Sequence, residues 1–222
     1  MNFIIEIFKL YKERSDFFIQ LLIEHILLSG TAIILITLIG LFIGIYISKS
    51  KKVAPIVLAI TNFLYTIPSI ALLGFLVAIS GIGNESAIIA LTLYGVLPII
   101  KNTYVGITEV DSQIIESAVA MGSTNKQLLF KIQLPLALPV IISGFRIMVV
   151  MTISLAAIAS FIGAGGLGVA IWRGITTNFP EMTAAGSILV ALLAVVADMI
   201  IGIFENSIRK KVLGTEKIGG YK

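Results

Sequence analysis

The sequence predicts an all-α integral membrane protein with about five transmembrane helices. Three observations carry this. Of the 222 residues, 58% are hydrophobic and 13% charged, about half the roughly 25% charge of a soluble domain. Too few charges remain to coat a water-facing surface, and the mean hydropathy of +1.06 makes the bilayer the natural solvent. The apolar residues also gather into runs near the ~20 residues that cross ~30 Å of hydrocarbon as a helix. These runs do not alternate apolar with polar, as barrel strands would.

The N-terminal segment, residues 1–20, mixes charge into its apolar positions and has no uninterrupted apolar region like that of a cleavable signal. Ile4, Ile5, Phe8, Tyr11 and Phe18, interleaved with Lys9, Lys12 and Arg14, predict a helix lying in the membrane interface. The transmembrane domain covers 21–209, with candidate spans at Leu22–Ile47, Val53–Ile79, Ala87–Ile107, Leu136–Phe161 and Thr183–Phe204. Pro98, Lys101 and Asn102 weaken the third, and Pro68 and Pro98 predict kinks in the second and third. Residues 210–222 form a tail.

Basic residues set the orientation. "SKSKK" after the first span, Lys126 and Lys131 after the third, and Arg209–Lys211 after the fifth share one side if the N-terminus is outside. That side is the cytoplasm, so the N-terminus lies outside and the C-terminus inside. The absence of cysteine excludes disulfides and thiolate metal sites. The net charge of +4 is scattered at the ends of apolar runs and makes no nucleic-acid footprint.

A polar stretch, "ESAVAMGSTNKQLLFKIQLP", interrupts the apolar sequence between the third and fourth spans. Asp111 and Ser112 can cap a first helix, which Gly122 ends in the left-handed conformation. Ser123 can cap a second short helix, and Pro135 ends it or starts the next span. Ile114, Ile115, Ala118 and Met121 stripe the first helix; Leu128, Leu129 and Ile132 stripe the second.

The spacing Glu116-Ser117-Ala118, three residues, Gly122, nine residues, Ile132, one residue, Leu134-Pro135 resembles the EAA loop of bacterial ABC importer permeases. Only Ser117 departs, where alanine is usual. "SFIGAGGLG", "LPIIKNTYVGI" and "YTIPSIALLGFL" are similar to the branch for glycine betaine, carnitine and choline. The resemblance implies the permease fold, with 109–135 as a cytoplasmic coupling loop docking on a separate ATPase. It also implies a second permease subunit, identical or related, and an extracytoplasmic substrate-binding protein. The chain lacks G-x-x-x-x-G-K-[ST], so ATP and Mg belong to the ATPase and this chain carries no cofactor. An amino-acid permease of the methionine type is the alternative within the class; a membrane scaffold without transport is the alternative outside it. The spans hold no paired carboxylates, metal cluster or nucleophile–base pair for an intramembrane enzyme.

"GAGGLG" fits the dinucleotide pattern, and Glu181 follows it. That motif needs a strand before it and a helix after it, within a βαβ unit. Here Gly163, Gly165, Gly166 and Gly168 instead let the chain turn at the outer end of the fourth span, with an outer gate as the functional reading. Arg146 lies eleven residues past Pro135, and Asp198 lies eleven before Arg209. Both are thus roughly 16 Å from the cytoplasmic ends of their spans, and equal depth with opposite sign predicts an ion pair. Asn62, Tyr65, Tyr94, Phe161 and Trp172 are pathway candidates. A lone His25 beside Glu24 at the outer edge of the first span reads as an interfacial residue.

Overall fold

The structure, a computed structural model, describes residues 2–213. Ten α-helices follow one another: α1 (Asn2–Glu13), α2 (Ser15–Ser48), α3 (Val53–Thr66), α4 (Ser69–Ser80), α5 (Asn84–Thr108), α6 (Ser112–Ala120), α7 (Asn125–Gln127), α8 (Leu134–Ile158), α9 (Gly168–Thr176) and α10 (Pro180–Leu213). Among the described residues four helical rods are long and apolar enough to cross a membrane, and the bent pair α3–α4 makes a fifth if it is one broken span.

α5 is the central helix, packed mainly on α2 and α8, while α10 packs on α8 and α9. Gly40 and Gly44 of α2 allow the closest approach, since a Cβ at either would lie 2.6 Å from a side-chain atom of Ile99 or Thr103. Small residues at such crossings let backbones meet where water exclusion drives nothing. The pairing of 36 with 95, 40 with 99 and 44 with 103 makes α2 and α5 parallel. The contacts of Gly144 with Asn102 and of Gly106 with Ala137 make α8 antiparallel to them. One end of the bundle therefore holds the polar segment 109–135, and the other holds Gly163–Gly168.

The second predicted span is not one helix. α3 and α4 meet at 96°, and at 1.5 Å per residue each is only about 20 Å long. Pro68 offers no N–H and forces Ile67 into an extended conformation (ψ 126°). The Ile67 carbonyl at the break accepts the hydroxyl of Tyr94.

α1 divides its apolar residues between two faces. Ile7 and Leu10 are buried, Tyr11 donates to the Ala185 carbonyl at 2.8 Å, and Phe3, Ile4, Ile5 and Phe8 stay exposed. The division between this segment and the first span falls at Arg14. α10 continues past 209 to Leu213 without a break; the rest of the tail, 214–222, lies outside the described residues.

Candidate functional site

The polar segment is built from two caps. Asp111 Oδ1 accepts the Gln113 N–H at 2.8 Å and starts α6. Gly122, at φ 83°, ends it. Its N–H reaches the Val119 carbonyl, and the Ser123 N–H reaches that of Ala118, the paired bonds of a Schellman motif. The second cap is Thr124, not Ser123 as the sequence reading expects. Thr124 Oγ1 accepts the Gln127 N–H at 3.3 Å, while Gln127 Oε1 accepts the Thr124 N–H at 2.9 Å. This capping box satisfies two orphan donors at once.

Pro135 stands in the first turn of α8, one of the two places the sequence reading allows it, but no break precedes it. Residues Leu128–Gln133 form a π-helical turn, with the Leu134 N–H on the Leu129 carbonyl. Widening the helix by one residue admits the proline near the start of α8 without a break. The segment from Asn125 to Ile162 is thus a continuous rod of 38 residues. Of the motif residues, Ala118 is buried, Ile132, Leu134 and Pro135 are half-buried, and Glu116, Ser117 and Gly122 are exposed. Ile114, Val119, Met121 and Phe130 are exposed at the same end. This end of the molecule presents an acceptor, Glu116, among apolar side chains that nothing among the described residues covers.

At the opposite end, Gly163–Gly168 is a turn held by side chains. The Gly165 N–H donates to Asn84 Oδ1 (3.0 Å), that of Gly166 to Glu24 Oε2 (3.1 Å) and that of Leu167 to His25 Nδ1 (3.3 Å). His25 Nε2 donates in turn to the Ile153 carbonyl at 3.0 Å. The two bonds fix the neutral tautomer with its proton on Nε2. Gly166 sits at φ 95°, and a Cβ there would lie 2.9 Å from the His25 ring. His25 is fully buried rather than interfacial, and it ties α2 to α8 and to the turn. Its partners are 128 and 142 residues away, so the sequence carried no local signal for them.

Between the two ends, Arg146 and Asp198 meet. Arg146 Nε and Nη2 donate to the two Asp198 oxygens at 2.5 and 2.6 Å, a bidentate pair. Glu205 joins them, accepting from Nη1 at 3.1 Å. Glu205 was absent from the sequence-derived candidates, although Asp198, Gly202 and Glu205 stand at i, i+4 and i+7 on one helical face. Gly202 leaves room for the guanidinium, which a Cβ there would approach to 3.1 Å. The three charges line a cavity of about 530 Å³.

The pathway candidates divide. Tyr65 and Tyr94 stack edge to face with centroids 6.0 Å apart, and Tyr65 donates to Met151 Sδ at 3.3 Å. Met151 lines the same cavity as Arg146. Phe161 pairs with Trp172 at 4.6 Å near the glycine turn, away from the tyrosines. Asn62 is exposed and joins neither group.

A helical bundle of crossing spans, with a capped polar segment at one end and an ion cluster at mid-span, defines a polytopic membrane protein. Residues 10–210 match the family described as "Binding-protein-dependent transport system inner membrane component", and the chain belongs to it. It is 40% identical over 199 residues to the carnitine transport permease protein OpuCD of Listeria monocytogenes, covering 89% of each chain. It is 36% identical over 222 residues to the choline transport system permease protein OpuBD of Bacillus subtilis, covering 98% of each. An inward-facing crystal structure of the MetNI methionine ABC transporter superposes with a TM-score of 0.74 at 24% identity, over 86% of this chain and 95% of that one. This last likeness shows the fold. The chain is therefore a multi-pass membrane permease component.

Proposed function

We propose that this chain is the permease subunit of an ATP-driven importer for quaternary-amine osmoprotectants such as carnitine, choline or glycine betaine. The observation that carries the reading is its similarity, over nearly its whole length, to permeases named for carnitine and choline. The geometry at each end supports it. The exposed Glu116 among Ile114, Val119, Met121 and Phe130 suits docking on a cytoplasmic ATPase, which binds ATP and Mg. The continuous rod from Asn125 to Ile162 gives that docking a stiff connection to mid-span. Two permease subunits enclose the path, and a substrate-binding protein delivers solute at the end that carries Gly163–Gly168. The N-terminus then lies outside the bacterial cell membrane and the C-terminus inside. Arg146 and Asp198 hold α8 and α10 together as the spans rearrange.

The test is uptake into liposomes holding the assembled complex, its binding protein and internal ATP. Labelled carnitine, choline and glycine betaine accumulate; methionine does not. Accumulation of methionine alone would overturn the substrate class, and accumulation of nothing would overturn the importer reading.

A further inference from the structure

α2 carries no charged residue from Ile26 to Ser48, a stretch of about 35 Å at 1.5 Å per residue. That matches the ~30 Å of hydrocarbon in a bilayer. Lys49 therefore stands where lipid headgroups begin, at the end of the bundle that holds the polar segment. Leu38, Phe42 and Tyr46 are exposed on α2, and Lys49, three residues past Tyr46, continues their face.

A cavity of about 330 Å³ opens beside it, within the roughly 300–1,000 Å³ of small-molecule sites. Lys49, just past α2, and Asn125, Lys126 and Gln133, at the start of the long rod, supply its polar wall. Ile107 and Leu129 supply a buried apolar floor. Leu129 and Gln133 reach it from the π-helical turn, a distortion that gathers at functional sites. Among the described residues the lining brings two ammonium groups and two side-chain amides, and no carboxylate. Nor does any carboxylate among them pair with Lys49, Lys126 or the neighbouring Lys51 and Lys52. Unopposed cations over an apolar floor, at headgroup depth, fit an amphiphile with a negatively charged head. A zwitterionic phospholipid fits less well, because its own ammonium would be brought against two others. Among the described residues none from α6 lines the cavity, which sets it apart from the exposed face around Glu116.

We propose that this cavity holds the headgroup of an anionic phospholipid, a phosphodiester such as phosphatidylglycerol. The Lys49 and Lys126 ammonium groups meet the phosphate, and the Asn125 and Gln133 amides donate to headgroup oxygens. The acyl chains run along Leu38, Phe42 and Tyr46. A lipid bound there fastens the end of α2 to the start of the rod. Such a site requires only the spanning fold, whichever solute the chain moves.

The assembled complex is reconstituted in nanodiscs of phosphatidylcholine, with and without added phosphatidylglycerol, at one salt concentration. A small uncharged amine-reactive reagent labels the lysines, and peptide mass spectrometry reads each rate. Phosphatidylglycerol slows labelling of Lys49 and Lys126 at least severalfold, and that of Lys51 and Lys52 much less. Unchanged labelling, or equal slowing at all four, would overturn the site; equal slowing is what membrane surface potential alone produces. Protection of Lys49 and Lys126 already complete in phosphatidylcholine would overturn it as well, since protein, the ATPase subunit foremost, would then cover them. A second measurement counts the phosphatidylglycerol that the complex retains when released from mixed nanodiscs into a native mass spectrometer. Lys49→Gln/Lys126→Gln lowers retention by about tenfold, while Lys49→Arg/Lys126→Arg keeps it. Lys51→Gln/Lys52→Gln removes the same charge beside the cavity and keeps most of it. Equal loss in the two glutamine variants would overturn the site in favour of diffuse attraction.

Discussion

Gly122 offers the sharpest perturbation of the polar segment. It sits at φ 83°, and a Cβ built there meets no heavy atom within 4 Å. A substitution therefore carries a backbone penalty and no steric one. The left-handed conformation costs an ordinary L-residue about 1–2 kcal/mol, and asparagine less. For Gly122→Ala that reduces the population of the Schellman turn, relative to its alternatives, by about 5–30-fold. If the ATPase docks only on the turned form, its apparent affinity falls by at most that factor. The assay is titration of the ATPase subunit onto the permease in nanodiscs. The order of affinity is glycine, asparagine, alanine and then valine, whose branched Cβ makes a positive φ worse still. Wild-type binding by both the alanine and valine variants would refute the reasoning. So would an asparagine variant as weak as valine, because side-chain bulk rather than backbone strain would then be at work.

Further outcomes follow from individual contacts. Thr124→Ala removes one half of the capping box and costs about 0.5–2 kcal/mol locally, read as faster amide exchange over residues 125–130. His25→Ala leaves the buried Leu167 N–H without its acceptor, at about 1–3 kcal/mol, removes the second bond to the Ile153 carbonyl, and lowers the melting temperature in detergent. His25→Gln, which can still reach the Ile153 carbonyl, recovers part of that loss. Tyr94→Phe deprives the Ile67 carbonyl of its donor and destabilises the α3–α4 break by about 1 kcal/mol, read in the same melting assay. Arg146→Gln alone lowers the yield of folded protein more than Arg146→Gln/Asp198→Asn, because the single change leaves both carboxylates without their cation.

What the sequence made legible follows the range of each interaction. The spans and the amphipathic α1 are local patterns of hydropathy, and Gly122 was readable as a helix stop because it follows an apolar stripe. The capping box was readable too, since Thr124 and Gln127 fit T-x-x-Q, yet Ser123 drew attention one residue early. Pro68 announced a kink, but its angle depends on how α4 packs on α5 and on the donor that Tyr94 supplies. Pro135 marked the first turn of α8, but the π-helical turn that joins it to α7 without a break gave no local signal. The burial of His25 was illegible, since its partners come from α8 and the glycine turn. The meeting of Arg146 with Asp198 was within reach because depth can be counted along a helix, and counting seven residues further would have added Glu205.

The central claim is that ATP turnover by a partner drives solute through this chain. The most direct measurement is ATP hydrolysis by the complex co-purified with this subunit, in lipid with its binding protein. It is compared across glycine betaine, carnitine, choline, methionine and no ligand, and repeated with Glu116→Lys. The account predicts stimulation by the quaternary amines and none by methionine, with the ATPase lost from the preparation when Glu116 becomes lysine while the permease still inserts. Unstimulated hydrolysis, or full ATPase retention by Glu116→Lys, would contradict it.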